Sequence, residues 1–338
     1  MSSRSAGAFF GAFLCLAIVA SFVVFAIRAD GREGTESTTN DGGAWLVNQR
    51  SGSIGHVNRD VEELSAAIRV SQPTASFDVY QPHGLVVAHD RTGDTLEIID
   101  ERVHTRVNSV DLPEGATVHR HDNGLVIESA TTREIWNLTT EQLHEIDTVA
   151  SIAPMFAGEA NAFGVSPSGA VFVATPEGLQ RFDDGVATTI TGVARIGQVR
   201  SITFDGERVL LRTADRLATV RDNEVVGLDA AVDAWSTIGV ASTDRTGSVV
   251  AVTADGRVVR VNSSTGETRS LGQLDGDRPA PPLEHRGCVY ALTNDPPQFW
   301  VSCGDGDPVI TPLASLQRPD LRLRLVNDWV WILSLIHI

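Results

Sequence analysis

The hydrophobic and polar positions of the chain follow a repeating pattern of short strands and tight turns. Each unit has a glycine, an alternating apolar run, a polar turn and a second apolar run, as in GLVVAHDRTGDTLEI. Alternation with a period of two predicts half-buried β-strands, and the glycines predict tight turns with a positive φ. The pattern recurs every 37 to 45 residues. Its units begin at Gly43, Gly84, Gly124, Gly169, Gly206, Gly247 and Gly287.

A repeat of about forty residues with several short strands is typical of propeller blades, which bury their faces by stacking around an axis. Separate β-sandwiches would need about 100 residues per unit. We therefore predict an all-β fold, a β-propeller of seven or eight blades over residues 44–332. An incomplete unit starts at Leu321, and it either completes the first blade or begins an eighth. In the first unit, Val61–Val70 predicts a short helix or an outer strand.

One long apolar segment precedes the repeat. Residues 6–27 carry no charged side chain, and a helix of that length would span about 33 Å, enough to cross a bilayer core of about 30 Å. The apolar region of a cleaved signal peptide is shorter, about 7–15 residues. We predict a single transmembrane helix that serves as an uncleaved signal anchor. Residues 1–5 would form a short cytoplasmic tail, and the polar residues 28–43 a flexible spacer.

The arginines that flank this segment barely distinguish the two possible orientations. Arg4 and the α-amino group lie on one side, and Arg28 and Arg32 lie on the other. Acidic neighbours count little in the positive-inside rule. The placement of the repeat outside the cell therefore needs a separate argument.

The cysteines supply that argument. Cys15 lies in the apolar segment, and Cys288 and Cys303 flank the stretch CVYALTNDPPQFWVSC, whose centre predicts a turn. A hairpin there would bring Cys288 and Cys303 within reach of a disulfide if the strands pair in register. A disulfide needs an oxidising compartment, which favours an extracytoplasmic repeat. The alternative is two unpaired buried thiols.

The last residues, 333–338, continue an apolar run without a turn or a polar end. An exposed apolar terminal strand is an aggregation hazard. We therefore predict that this segment is a non-native or truncated tail and that the natural chain continues.

The charge of the chain excludes one class of partner. The formal net charge is −16, whereas a nucleic-acid-binding protein needs a basic face to neutralise phosphates. We predict no nucleic-acid partner. The sequence contains no Lys, so every cationic side chain in the Lys+Arg count of 27 is Arg. This absence removes Schiff-base and P-loop lysine chemistry.

Motifs that carry chemistry are few. His119 and His121 alternate on one strand and form a candidate metal pair, but no third ligand follows at a usual spacing. There is no Gly-x-Ser-x-Gly elbow, and no pair of carboxylates stands out for glycoside hydrolysis. Two acidic turns resemble parts of calcium loops but lack the closing Glu: Asp275 with Asp277, and Asp305 with Asp307. The sequence predicts no catalytic, cofactor-binding or metal site, and no cofactor.

The layout of the chain resembles a known family. A short Arg-bearing N-terminus, one apolar span, a Gly- and Thr-rich spacer and forty-residue units such as GAWLVNQRSGSIGHVN and LRLVNDWVWI follow one another. Together they resemble the N-terminal region of large actinobacterial surface proteins with fibronectin type III repeats. The resemblance implies extracytoplasmic display and a role in interaction. The chain ends before any fibronectin module, and nothing in it supports a glycosidase activity.

These observations favour a non-enzymatic binding module in the cell membrane, with a single span and the bulk of the chain extracytoplasmic. Its expected partners are the membrane, through the N-terminal helix, and a surface protein or wall glycan. One alternative is a propeller-type glycan hydrolase or lyase with acidic residues at the mouth of the axis. Another is a reversed anchor that places the repeat in the cytoplasm.

Overall fold

The structure, a computed structural model, describes residues 44–334 except 49, 59–62, 74, 83–84, 102, 184, 215, 229–234, 240–246, 305, 314–320 and 327–328. The predicted tail, anchor and spacer at residues 1–5, 6–27 and 28–43 lie outside the described residues. So do residues 335–338 of the predicted C-terminal tail. The described residues form 29 strands, one α-helix and two short 3₁₀ turns, Val149–Ser151 and Val193–Arg195. The helical segments among them are too short to cross a bilayer.

The described strands form eight antiparallel sheets, and each sheet is built from consecutive strands. Sheet 1 has three strands: β1 (Ala44–Asn48), β2 (Ser53–Asn58) and β3 (Glu63–Arg69). Sheet 2 contains β4 (Phe77–Tyr80), β5 (Val86–Asp90), β6 (Thr95–Asp100) and β7 (Thr105–Asp111). Sheet 3 contains β8 (Thr117–His121), β9 (Gly124–Ser129), β10 (Glu134–Thr139) and β11 (Phe156–Ala157).

The remaining five sheets continue in the same order. Sheet 4 contains β12 (Ala162–Val165), β13 (Val171–Thr175), β14 (Gly178–Asp183) and β15 (Val186–Ile190). Sheet 5 contains β16 (Ser201–Asp205), β17 (Arg208–Arg212), β18 (Leu217–Arg221) and β19 (Glu224–Leu228). Sheet 6 contains β20 (Trp235–Ile238), β21 (Ser248–Thr253), β22 (Arg257–Asn262) and β23 (Thr268–Gln273). Sheet 7 contains β24 (Leu283–His285), β25 (Cys288–Asn294), β26 (Pro297–Cys303) and β27 (Val309–Pro312), and sheet 8 contains β28 (Leu321–Val326) and β29 (Trp329–Ser334).

The all-β prediction is confirmed, and the repeat has the period of the sheets with an offset of one strand, since Gly124 opens β9, the second strand of sheet 3. Within Val61–Val70, the strand alternative is confirmed, because β3 pairs with β2 along its length. β29 continues to Ser334, since Leu333 and Ser334 lie opposite Arg322 and Leu321 in the hairpin with β28. The number of blades stays a prediction.

The repeated glycines do not all serve the same purpose. Gly169 and Gly206 have positive φ values of 97° and 56°, as the turns require. Gly124 has no positive φ, so the predicted reason is wrong at this position. Instead, a Cβ atom on Gly124 would lie 2.0 Å from the carbonyl oxygen of Leu138 on the neighbouring strand. At Gly124, close approach between two backbones excludes a side chain.

Apolar side chains fill the spaces between consecutive sheets. Between sheets 2 and 3, for example, Leu96 and Ile98 of β6 share a fully buried cluster with Leu125 and Ile127 of β9. Such clusters join each described sheet to the next, from sheet 1 to sheet 8. A sheet that buries both faces has near-continuous apolar strands, which explains why β13 is buried along its whole length.

The sheets converge at their first strands and diverge at their fourth strands. β12 packs beside both β8 and β16, the first strands of the neighbouring sheets. By contrast, every residue of the fourth strand β27 is exposed, and β7 is mostly exposed. The sheets are therefore arranged radially, and their first strands surround a common axis.

The single described α-helix, α1 (Thr140–Glu145), lies between β10 and β11. Thr139 caps its N-terminus in a reciprocal capping box with Gln142. At the other end, the Asn108 side-chain amide donates to the carbonyls of Leu143 and Ile146, at 2.9 and 2.8 Å. Asn108 belongs to β7, so the helix is fixed to the outer strand of the preceding sheet.

Polar side chains near the turns after the first strands also join neighbouring sheets. In sheet 5, the carboxylate of Asp205 is buried and accepts hydrogen bonds from Gly247 N, at 2.7 Å, and from the Ser263 hydroxyl of sheet 6. Ser168 donates through its backbone and hydroxyl to Glu207. These contacts tie sheet 4 to sheet 5 and sheet 5 to sheet 6.

The buried carboxylate of Asp205 should therefore contribute strongly to stability. We expect Asp205→Ala to lower the free energy of unfolding by about 3 kcal/mol, because two donors lose their acceptor. The matched control is Asp183→Ala, whose half-exposed carboxylate pairs with Arg181 and should contribute less than about 1 kcal/mol. Urea unfolding followed by circular dichroism measures both. Equal losses in the two variants would contradict the structural role of Asp205.

Candidate ligand-binding site

The first strand of sheet 2 presents an unpaired backbone edge to the axis. The backbone N–H of Arg91 donates to the carbonyl of Ser76, and β4 pairs with β5 in register from Phe77 opposite Asp90 to Tyr80 opposite Val87. Hydrogen-bonded and non-hydrogen-bonded pairs alternate along an antiparallel ladder. The backbone groups of Val79 therefore point away from β5, towards the axis, and so do those of Gln81, two residues further along the chain.

Two arginines from other sheets bind this edge. Arg324 of β28 donates through Nη1 to the carbonyl oxygen of Val79, at 2.9 Å. Arg120 of β8 donates through Nη1 to the carbonyl oxygen of Gln81, at 3.1 Å. We call Tyr80, Gln81, Arg120 and Arg324 the axial cluster. It joins the first strands of sheets 2, 3 and 8.

The aromatic ring of Tyr80 positions one of the two guanidiniums. The Cζ atom of Arg324 lies 5.7 Å from the ring centroid, within the range of a cation–π contact. Burial is the main cause that raises the pKa of Tyr80, and the negative charge of Asp78 adds to it. The phenol is therefore neutral at physiological pH and acts as a fixed aromatic surface.

Electrostatics distinguish Arg120 from an ordinary surface arginine. Its side chain is solvent-accessible, yet desolvation lowers the pKa of the guanidinium, and the charge of Arg324 lowers it further. Asp122, in the turn after β8, opposes this effect. A position at the axis that water reaches but protein surrounds accounts for both the solvent accessibility of Arg120 and its lowered pKa.

A buried histidine lies beside the cluster. His89 of β5 is 1% exposed, and its ring centroid lies 6.5 Å from that of Tyr80. Neither ring nitrogen has a hydrogen-bond partner among the described residues. Burial, with a smaller contribution from the charge of Arg91, lowers the pKa of His89 to about 4. His89 is therefore neutral at pH 7.

The predicted cysteine pair is brought together by the hairpin of sheet 7. Cys288 lies directly opposite Cys303 in the register of β25 and β26, and the two are joined by a disulfide. The hairpin turns at Asp295 and Pro296, as the stretch between the cysteines predicted. The disulfide lies at the other end of β25 from Asn294, whose side chain accepts a hydrogen bond from the backbone N–H of Leu321 in β28.

The candidate metal pair is not assembled as a metal site. The ring of His119 packs edge-on against Phe163, with 4.6 Å between the centroids. His121 Nε2 lies 3.0 Å from Asn137 Oδ1, and the Asn137 amide donates to the carbonyl of Gly169. Both histidines therefore pack at the boundary with sheet 4. The described residues contain no group of three or more His, Cys, Asp or Glu that could hold a metal ion.

The acidic turns have local structural partners where they are described. Asp277 N donates to the carbonyl of Asp295, at 2.6 Å, and Asp307 is exposed. Asp305 lies outside the described residues. The buried carboxylates are likewise engaged: Asp78 pairs with Arg91, Glu97 with Arg106, and Glu284 with Arg260. In the described part of the axis, the groups that converge are arginines rather than the acids expected for a hydrolase.

Sequence reasoning missed the axial cluster. Arg120 lies between the two histidines of the HRH motif, and Arg324 lies in the alternating run LRLRL. The signal that could have found them is an arginine within the first strand of a sheet, where the side chain can reach the axis. The partner edge of β4 could not be identified without the register of sheet 2.

Comparison with known proteins supports the fold. No family model matches the chain, and no curated protein matches it. Solved structures do match: BamB from Moraxella catarrhalis superposes with a TM-score of 0.56 and 14% identity, over 87% of this chain and 91% of that chain. The computationally designed Ika8 protein gives 0.59 and 12% identity, over 86% and 95%. AztD from Citrobacter koseri gives 0.53 and 13% identity, over 79% and 81%.

Together with the radial sheets, these matches decide the architecture. The chain folds as a β-propeller. At identities of 12–14%, the likeness shows the fold alone. What this propeller does must therefore be argued from its own residues.

The buried histidines should make the stability of the propeller depend on pH. His89 and His119 both have a folded-state pKa of about 4, lowered mainly by burial from the usual 6.5. Between these values the unfolded chain binds more protons, so the free energy of unfolding should fall as the pH falls from 6.5 to 4. We expect His89→Gln to make this dependence shallower. Urea midpoints measured across that pH range provide the check.

The control for this experiment is an exposed histidine. His144 of α1 is exposed, and His144→Gln should leave the pH profile of the urea midpoint unchanged. If His89→Gln gave the same profile as the wild type, the buried neutral histidine would not be a source of the pH dependence.

Proposed function

We propose that the chain is a membrane-anchored, extracytoplasmic binding module and not an enzyme. Residues 6–27 hold it in the membrane, and the β-propeller at residues 44–332 is displayed outside the cell. There it binds a surface protein or a wall glycan. The observation that carries this proposal is the disulfide between Cys288 and Cys303, on a propeller whose axis presents arginines.

The disulfide supports the extracytoplasmic placement. Disulfides persist in oxidising compartments and are rare in the cytosol, where thiols are kept reduced. Cys288 and Cys303 lie on adjacent strands in direct register, so the backbone already positions the two sulfurs. Because the flanking arginines of residues 6–27 barely distinguish the two orientations, the disulfide is the main argument for the orientation.

The architecture supports a binding role. A propeller exposes the loops and first strands of all its sheets around one axis, and concave sites of that kind are common ligand sites. Here the axis offers two guanidiniums and an aromatic ring, which recognise ligands by charge and stacking. The buried carboxylates Asp78, Glu97 and Glu284 are all engaged in ion pairs. These contacts favour binding over acid–base chemistry.

The membrane orientation can be tested with a single accessible cysteine. Val186 of β15 is 63% exposed, so Val186→Cys introduces a reactive thiol on the propeller surface. We expect a membrane-impermeant maleimide to label Val186→Cys in intact cells as fully as in permeabilised cells. The wild-type chain is the control: its propeller cysteines are paired and Cys15 lies in the proposed membrane anchor, so it should not be labelled in intact cells. Labelling that requires permeabilisation would place the propeller in the cytoplasm and overturn the proposal.

The binding role can be tested by deletion. Cells expressing the full chain should retain a surface protein in a cross-linked pull-down, or the chain should co-sediment with isolated wall glycan. A chain that lacks residues 44–332 but keeps the anchor should lose both associations. If the deletion changed neither association, the propeller would not be the binding element.

A further inference from the structure

The two guanidiniums of the axial cluster have no carboxylate partner. Arg120 and Arg324 form no ion pair within the described part of the chain, and each donates to a backbone carbonyl instead. Other arginines among the described residues do face an acid, as Arg91 faces Asp78 and Arg260 faces Glu284. Two positive charges are therefore held close together at the axis, and the nearby carboxylate of Asp122 acts on Arg120 through its charge without forming an ion pair among the described residues.

The spacing of the two guanidiniums follows from the strand that they bind. Carbonyl oxygens of residues i and i+2 on the same strand edge lie about 7 Å apart. Val79 and Gln81 are two residues apart, so the guanidiniums that bind their carbonyls lie at about this separation. The backbone N–H of Gln81 lies on the same edge, between the two carbonyls. A small anion placed there would meet a donor from each of three groups.

Each arginine has donors left for such an anion. A guanidinium carries five N–H groups in one plane, and each of the two uses a single nitrogen, Nη1, for its backbone carbonyl. The contact of Arg324 with Tyr80 uses the face of the guanidinium. The donors at its edge therefore stay available. Guanidinium edges match the geometry of oxyanions and bind them through short charge-assisted hydrogen bonds.

The overall charge limits which anion fits. The chain has a net charge of −16, so a polyanion is repelled by the surface as a whole. Two guanidiniums at an enclosed axis favour a single carboxylate, which can enter without bringing further negative charges. Tyr80 offers an aromatic surface to the uncharged part of the same ligand. We propose that the axial cluster binds a carboxylate-bearing ligand between Arg120 and Arg324.

This inference rests on the proposed binding role and gives it a ligand chemistry. It does not rest on the orientation of the chain in the membrane. The carboxylate accepts hydrogen bonds from both guanidiniums and from Gln81 N–H, and no covalent bond forms or breaks.

The test compares two sugars that differ at one group. D-glucuronate carries a carboxylate where D-glucose carries a hydroxymethyl group. We expect the purified full chain in detergent to bind D-glucuronate and not D-glucose in an NMR titration. Arg120→Gln and Arg324→Gln should each weaken the binding of D-glucuronate by about ten- to a hundredfold, because each loses a charge-assisted hydrogen bond.

The matched control is an arginine on the outside of the propeller. Arg195 is exposed and pairs with the exposed Glu224, so Arg195→Gln removes the same charge without touching the axis. The affinity of Arg195→Gln for D-glucuronate should equal that of the wild type. Because Arg324 also joins β28 to β4, near-UV circular dichroism should accompany each titration. Arg120→Gln gives a second variant in which that contact is intact.

Three results would overturn the inference. The first is D-glucuronate binding that is unchanged in folded Arg120→Gln and Arg324→Gln. The second is equal binding of D-glucose. The third is tighter binding of inorganic phosphate than of D-glucuronate at the same ionic strength, which would assign the cluster to phosphate.

Failure of this inference can be distinguished from failure of the proposed function. If D-glucuronate does not bind but Val186→Cys is labelled on intact cells and the propeller deletion abolishes wall or protein association, the binding module stands and uses another surface. If D-glucuronate binds but the propeller is cytoplasmic, the ligand chemistry stands and the surface role falls.

Discussion

Burial of both faces of each sheet is the constraint on which the described structure depends. No single sheet of four short strands can bury its apolar residues alone, and in this chain consecutive sheets supply the missing surface for each other. The packing explains why a second strand such as β13 is buried along its whole length and why an outer strand such as β27 is exposed. It also explains why the polar bridge of Asp205 lies where two sheets meet. It also fixes the radial order, because each of sheets 2 to 7 has one neighbour on each face.

The same packing creates a different problem at the axis. A first strand has no further strand beside it, so its inward backbone groups need partners from elsewhere. On β4 the partners are arginines, and these bring charge into an enclosed place. The arginines that satisfy the backbone carbonyls of β4 thereby also form a site for a negatively charged ligand. The absence of Lys from the chain matters here, since only the guanidinium can bind a carbonyl with one nitrogen and keep a planar edge of donors free.

Much of the fold could be predicted from the sequence, because strand alternation and turn glycines are local signals. The hairpin of Cys288 and Cys303 was readable for the same reason, since only fifteen residues separate the two. The axial cluster could not be predicted from the sequence. Val79 and Arg324 are 245 residues apart, and their contact follows from how many sheets lie between them and how tightly those sheets pack. Gly124 shows a second limit of prediction from the sequence. Only glycine fits at position 124 because the backbone of Leu138 lies so close, and no local sequence pattern reveals that contact.

Because Arg324 must reach Val79, the site between the two arginines forms late in the synthesis of the chain. During synthesis the N-terminal sheets emerge first and can pack in order, each on the one before. Arg324 emerges 245 residues after Val79, so the carbonyl of Val79 stays hydrated while the intervening sheets are made, whereas Arg120 reaches the carbonyl of Gln81 much earlier. The site between the two arginines thus comes into being only when the late part of the chain reaches an early strand. A ligand of this site would therefore bind propellers in which β28 has packed, and would not bind nascent chains that lack β28.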